Sequence, residues 1–400
     1  MLNSIVHNVG KTRSGRCRYV LAAAFALLSI PASADDPHET LGRALFFDTT
    51  LSASSTQSCA TCHDPSRAFI DSRDNAVHGA ASTGHEPSLL GDRNTPSIAY
   101  AAMTPEFHRE DDGGVRGGFF LDGRANTLAD QAREPFLNPV EMALDGISGF
   151  AERIRRNTTY EKLFVDAFDQ DTYANDERLY FAAANALAAF QRGTEFSQFD
   201  SRYDRFLAGE IELTMEEELA RRLFFSDLVN CMNCHLQERN RIQPREMFTD
   251  FRYHNIGLPR HDTLRAANGL GASHTDTGLA ARADVDTQTS SGKFRTPSLR
   301  NVVVTAPYMH HGLFQHLETA IHFYNRYLVD NQDAETNPET GRPWGQPEVT
   351  ANIELDLLSQ GQPIGKARIQ SLIVFLRTLT DSRYEHLLEP AEQTGEHQHE

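Results

Sequence analysis

Cys59-Ala60-Thr61-Cys62-His63 and Cys231-Met232-Asn233-Cys234-His235 are two CxxCH motifs in one chain of 400 residues. Two thiols three positions apart reach both vinyl groups of a c-type haem, and the histidine that follows is delivered to one axial position of its iron. The pair predicts two covalent haem c groups, and a chain folded around both. A redox disulfide belongs beside a βαβ pattern, and a four-cysteine zinc site needs no histidine after each second cysteine. Those readings, and chance, rank below haem.

Residues 1–34 have the pattern of a secretory signal. Lys11, Arg13, Arg16 and Arg18 precede an apolar run from Val20 to Ile30, and Pro31-Ala32-Ser33-Ala34 ends in an A-x-A-like site. The run is short for a bilayer span, so the expectation is a cleaved signal, a mature start near Asp35, a periplasmic location and no stable membrane insertion. Cys17 leaves with that segment, and the other four cysteines all belong to the motifs. None remains for a structural disulfide. Without the signal, 34 basic residues face 55 acidic ones, a formal charge of −21. That acidity argues against nucleic acid and anionic lipid, and favours soluble partners with a basic docking face.

The chain reads as a duplication. Leu41-Gly42-Arg43-Ala44-Leu45-Phe46-Phe47-Asp48 precedes the first motif, and Leu219-Ala220-Arg221-Arg222-Leu223-Phe224-Phe225 precedes the second. Arg93-Asn94-Thr95-Pro96-Ser97 returns as Arg295-Thr296-Pro297-Ser298, and Asp122-Gly123 with Leu128 as His311-Gly312 with Leu317. Each half closes on a helix-period stretch, 179–192 and 369–379; in the second, Ile369, Leu372, Ile373 and Leu376 keep one buried face. Thr214-Met215-Glu216-Glu217 is a capping box, which starts a helix there.

Strand signals are scarce. The predicted fold class is mainly α: two cytochrome c-like domains, residues 35–205 and 206–388, each with one haem, followed by a disordered tail, 389–400. A Gly/Asp/Pro-rich segment, 71–118, supplies loops over the first haem. The histidines of the tail are read as exposed rather than as a metal site.

Phe120-Leu121-Asp122-Gly123-Arg124-Ala125, Asn138-Pro139-Val140-Glu141-Met142 and the run Phe294-Arg295-Thr296-Pro297-Ser298-Leu299-Arg300-Asn301-Val302, continuing to Thr305-Ala306-Pro307-Tyr308-Met309-His310, carry a family likeness. Over residues 38–385 the chain resembles the bacterial dihaem cytochrome c peroxidase and MauG superfamily. The resemblance implies a peroxide site at the amino-terminal haem and electron relay at the carboxy-terminal one, with His63 and His235 as proximal ligands. It also implies a calcium ion between the haems, held by Asn94 and the carbonyls of Thr305 and Pro307, a hard-cation oxygen set.

In the peroxidases a methionine fourteen positions after the Pro-Tyr-x-His histidine ligates the second haem, and in MauG-like proteins a tyrosine does. Counting from His310 lands on Tyr324. Met309 is the competing thioether, read as a pocket residue. A His/Tyr haem suits storing oxidising equivalents.

Peroxide cleavage needs an open iron site, a proton carrier and a polar contact for the leaving oxygen. The positions read as the family's glutamate and glutamine hold Ala129 and Phe119 here. Asp130, Glu134 and Glu141 are nearby substitutes, with Asp130 and Glu141 the expected catalytic pair. His78 and His85 lie in the loop where peroxidases carry a distal histidine. The single tryptophan, Trp344, is far from the inter-haem position, read at Phe107, His108 and Arg109, which leaves Phe107, Tyr100, Tyr308 or the propionates to couple the haems. Arg295, Arg300 and Arg124 are candidates for the propionates, since guanidinium pairs bidentately with carboxylate.

The expected function is a periplasmic oxidoreductase in which hydrogen peroxide oxidises the His63 haem and the His235/Tyr324 haem shares the oxidation. Its electrons come from a small periplasmic electron-donor protein or from residues of a protein substrate. The alternatives are a dihaem electron carrier without peroxidase activity and a haem-bearing binding module.

Overall fold

Asp36 opens the first helix by accepting a hydrogen bond from the His38 N–H, with Pro37 at the first helical position, where its missing donor is harmless. The computed structural model describes residues 36–236 and 246–388, so the expected signal and the tail lie outside the described residues. The first half is built around α1 (Pro37–Phe47), α2 (Leu128–Leu137), α3 (Gly146–Arg156) and α4 (Asp176–Gln191), with a further helix at Thr159–Ala167. α1, α2 and α3 all pack on α4. Leu45, Phe46, Phe136, Phe150, Phe164, Leu187 and Phe190 form the core between them. Each such side chain contributes about 1.5–3 kcal/mol when fully buried. α1 crosses α4 at Gly42, where a Cβ would stand 2.0 Å from the Ala186 carbonyl oxygen. Only glycine allows that approach.

The second half repeats the plan with α5 (Met215–Phe224), α6 (Leu317–His322) and α7 (Lys366–Arg377). α5 starts at the expected capping box, with Thr214 and Glu217 bonded reciprocally. α7 buries Ile369, Leu372, Phe375 and Leu376 against α5 and, with Tyr203, Phe224 and Phe248, makes a second core. Three two-stranded antiparallel pairs complete the regular structure among the described residues. One of them pairs Tyr253 with Arg295 and His254 with Phe294. Segment 71–118 is mostly loop, as its composition predicts, apart from a 3-10 turn at Ala101–Met103 and the pair His108–Arg109 with Val115–Arg116.

The duplication reaches individual backbone angles. Tyr100 and Asn301 occupy matching positions after the two Thr-Pro-Ser segments. Both are left-handed, at φ 62° and 60°, and each precedes a 3-10 turn, Ala101–Met103 and Val302–Val304. The described residues make one compact unit containing both cores.

Candidate dihaem site

Each CxxCH sits on a single tight turn. Cys59–Cys62 form one helical turn opened by a Ser58–Thr61 capping box, and Cys231–Asn233 form a 3-10 turn entered through left-handed Asn230. In both, the histidine Nδ1 donates to the carbonyl of a left-handed phenylalanine: His63 to Phe69 at 3.0 Å, and His235 to Phe248 at 2.8 Å. That bond fixes the tautomer and leaves Nε2 with its lone pair, as an axial ligand requires. Burial lowers both imidazole pKa values, so the rings stay neutral. None of the four cysteines is disulfide-bonded. Burial pushes the Cys59 and Cys231 thiols up to about 12. No cluster of possible metal ligands among the described residues contains more than one cysteine, which does not suit a four-cysteine zinc site.

A continuous cavity of about 570 Å³ reaches both motifs, touching Cys62 and His63 at one end and Cys231, Cys234 and His235 at the other. Arg295 is half-buried on its wall, with its Nε buried and unpartnered. Burial lowers its pKa. A buried guanidinium without a fixed anion is costly, and haem propionates are anions of the kind it needs. The thiols, the two oriented imidazoles, the apolar cavity and Arg295 therefore fit haem c.

Arg300 corrects the expectation. Its two terminal nitrogens go to the Asp204 carboxylate, both at 2.8 Å, and its Nε goes to the Glu246 carbonyl at 2.8 Å. The guanidinium is a strut that ties Asp204 to the Glu246 carbonyl, with its fork already filled by a carboxylate. Arg124 lies over the Phe120 ring and bonds to Asp122 and Glu134.

At the His63 end, Glu141 lines the cavity from the turn after α2. Asn138 Nδ2 holds its Oε1 at 2.9 Å, and burial, opposed by Arg124, pushes its carboxyl up to about 7. Asp130 is not beside it. As third residue of α2, Asp130 caps the helix, accepting from the Thr127 N–H and hydroxyl at 3.2 and 2.9 Å, and pairs with Arg133 at 3.1 Å. The capping box that starts α2 claims its carboxylate, which corrects its assignment as a catalytic group. Glu134 is an exposed partner of Arg124.

Gln131, missed in the sequence, lines the cavity with Glu141 and Pro135. α2 buries Leu128, Ala132 and Phe136, so Gln131 and Pro135, four apart, flank that stripe. Phe119 and Ala129 pack in an apolar cluster with Leu128 and Ala188. An amide and a carboxyl do reach the cavity, from Gln131 and Glu141. Neither His78 nor His85 lines the cavity.

At the other end, Tyr324 stands in the 3-10 turn Phe323–Tyr327 directly after α6. It lines the cavity, and burial, followed by the nearby Cys234 and Cys231, raises its phenol pKa. Met309 also lines the cavity and packs on the cluster of Leu258, Phe314 and Trp344. Asn94 donates its backbone N–H to the His310 carbonyl at 2.9 Å and its Nδ2 to the Gly79 carbonyl at 3.4 Å, while Pro307 lies 3.7 Å from where a Gly79 Cβ would stand. Asn94, Thr305 and Pro307 all border the cavity. Phe107 lies beneath the Arg282 guanidinium, outside the cavity wall, and Trp344 donates Nε1 to the Ala334 carbonyl. Tyr100 and Tyr308 border the cavity.

Residues 36–212 match the family described as di-haem cytochrome c peroxidase. The methylamine utilization protein MauG of Paracoccus denitrificans is 49% identical over 89% of this chain and 92% of its own length. The cytochrome-c peroxidase IdrP2 of Pseudomonas sp. (strain SCT) is 29% identical over 74% and 75%. Among solved structures, the diheme peroxidase BthA of Burkholderia thailandensis superposes with a TM-score of 0.78 at 32% identity, covering 89% of each chain. With helices, CxxCH turns and cavity arranged in this way, the chain is a peroxidase-like dihaem oxidoreductase and belongs to the di-haem cytochrome c peroxidase family.

Proposed function

We propose that this protein is an exported, periplasmic oxidoreductase that reduces hydrogen peroxide at a haem bound by Cys59, Cys62 and His63. Cys231, Cys234, His235 and Tyr324 would hold a second haem, through which electrons from a small redox protein or from residues of a protein substrate would enter. The observation that carries the reading is the pairing of Glu141 and Gln131 on the wall of the cavity that reaches His63. Bound haem supplies the redox-active iron that takes up the two oxidising equivalents of peroxide.

The residues do the proton work. Glu141, with a carboxyl pKa near 7, accepts the proton from the peroxide oxygen nearer the iron and returns it to the departing oxygen. The Gln131 side-chain amide donates a hydrogen bond to that oxygen. One water leaves. With haem bound, the overall reaction would consume two electrons and two further protons per peroxide and give a second water. Asn138 holds Glu141 in place, and the unpartnered Arg295 Nε would anchor a propionate. Asn94 with the Thr305 and Pro307 carbonyls offers oxygen ligands to calcium.

A carrier without peroxide chemistry is supported less well. It rested on Phe119 and Ala129, and Gln131 and Glu141 now supply the missing groups. The test is stoichiometric hydrogen peroxide added to the fully ferric dihaem protein, followed by visible and near-infrared absorption. Rapid loss of the ferric spectrum with a new near-infrared band is expected, as both haems share the oxidation. Reaction only after one haem is reduced would point to a conventional peroxidase, and no reaction in either state would overturn the proposal.

A further inference from the structure

Tyr100 is a bulky side chain held in a backbone conformation that such residues avoid. Its φ of 62° and ψ of 7° are left-handed, a region favoured by glycine, asparagine and aspartate. The second half has Asn301 at the matching position with nearly the same angles, φ 60° and ψ 11°. The first half thus keeps a strained tyrosine where its own duplicate uses a residue suited to the turn. Strain of this kind persists where the surroundings over-determine it, and it concentrates at functional sites.

The phenol is buried, and its partners come from both halves. Its hydroxyl donates to Asp381 Oδ1 and accepts the Phe199 N–H at 3.0 Å. Asn301 Nδ2 donates to the other Asp381 oxygen at 2.8 Å, so both members of the duplicated pair converge on one buried carboxylate. Toward the first motif, the Tyr100 N–H donates to the Phe196 carbonyl at 2.8 Å. The Phe196 ring stacks at 4.4 Å on Phe69, whose carbonyl orients His63. Toward the second, Arg300 lies 4.8 Å from the Tyr100 ring centre and 5.9 Å from that of Phe248, whose carbonyl orients His235. Tyr100 also borders the common cavity. Through its backbone on one side and the Arg300 stacked on its ring on the other, Tyr100 is linked to the groups that orient both proximal histidines.

We infer that Tyr100 is a redox relay between the two haem sites, with Asp381 as its proton acceptor. The inference rests on the peroxide chemistry proposed above. Tyr100 gives one electron to an oxidised haem, its O–H bond breaks, and the proton moves to Asp381 Oδ1. A neutral tyrosyl and a neutral carboxylic acid result. An electron from the other haem site and return of the proton restore the pair. Arg300 makes the proton transfer obligatory, because an oxidised phenol that kept its proton would be a cation facing a guanidinium. Burial, opposed by the Tyr100 and Asn301 bonds, raises the Asp381 pKa, which favours the carboxylic acid formed in the step.

The test is freeze-quench electron paramagnetic resonance on the dihaem protein after hydrogen peroxide, with ring-deuterated tyrosine incorporated. Wild type is expected to show a tyrosyl signal that narrows on deuteration. Tyr100→Phe should lower its yield at least tenfold while both haem spectra persist. Asp381→Asn, which leaves the phenol in place without its proton acceptor, should lower it too. Haem oxidation by peroxide with an undiminished tyrosyl signal in Tyr100→Phe would overturn the relay and leave the peroxide reading standing. If peroxide does not oxidise the haems, that reading fails. The same samples oxidised by a flash-generated one-electron ruthenium oxidant then decide the relay, which falls if no signal maps to Tyr100.

Discussion

In the proposed function Glu141 and Tyr324 divide the chemistry between them, and each makes a separable prediction. Because burial lifts the Glu141 carboxyl to about 7, its base form accumulates as pH rises through neutrality. The rate of the peroxide step should therefore climb between about pH 6 and 8. Glu141→Gln removes the titrating group, so the rate should fall by roughly 10²–10⁴ and lose that inflection, as is usual for a positioned acid–base group. Stopped-flow absorption across the pH range reads both effects, and an unchanged profile would remove Glu141 from the step. With Tyr324 as the proposed ligand of the second haem alone, Tyr324→Phe should change one haem's spectrum and leave the other's as it was. Met309→Leu should leave both alone. Glu141 stood out in the sequence as a carboxylate near the first motif's loops, within the Asn138–Met142 segment that carries the family likeness, and the structure sets it on the cavity wall. Asp130 was misread because a helix start competes for the same side chain, and one-dimensional proximity cannot tell a cap from a catalytic group.

The elements were the most legible layer. Apolar periodicity and the Thr214 capping box located α1, α4, α5 and α7, since a buried stripe and a satisfied N-terminus are local facts. Gln131 escaped because its meaning depends on which flank of α2 meets the cavity, and that is set by packing on α4. Helix contacts also give two glycines opposite signs. At Gly42 an added Cβ meets the Ala186 carbonyl at 2.0 Å, whereas at Gly149 in α3 the nearest atom is Asp145 Cβ at 3.5 Å. Alanine gains about 1 kcal/mol over glycine in a helix interior. Forcing an α1–α4 backbone contact apart costs about 1–3 kcal/mol. Gly149→Ala should raise the midpoint of thermal unfolding, and Gly42→Ala should lower it. A rise at both positions would mean that the α1–α4 crossing is looser than described.

At the scale of the whole molecule, the two halves are joined through charge as well as through the shared cavity. Arg93 lies in the first half and sends Nη1 to Asp122 at 2.6 Å, while its Nε and Nη2 go to Asp276 of the second half at 2.7 Å each. Both carboxylates are buried. Asp276 is invisible as a partner in the sequence, because a contact spanning so many residues leaves no periodic trace. Burial pushes its carboxyl up, but the Arg93 guanidinium and the Gly278 N–H outweigh that and hold it below its usual range. A depressed carboxylate contributes stability that is present above its unfolded pKa, about 3.9, and is lost as pH falls through the lower folded value. Arg93→Met leaves two buried carboxylates without this cation, and breaking a buried pair in this way costs roughly 3–5 kcal/mol. The deficit, measured by denaturant unfolding, should be full at pH 7 and shrink as the pH drops below about 4, where protonation relieves the stranded acids in the variant while wild type loses its pair. A deficit that stays constant with pH would show that Arg93 acts through packing on Phe294, over which its guanidinium also lies, and not as the ionic joint between the halves.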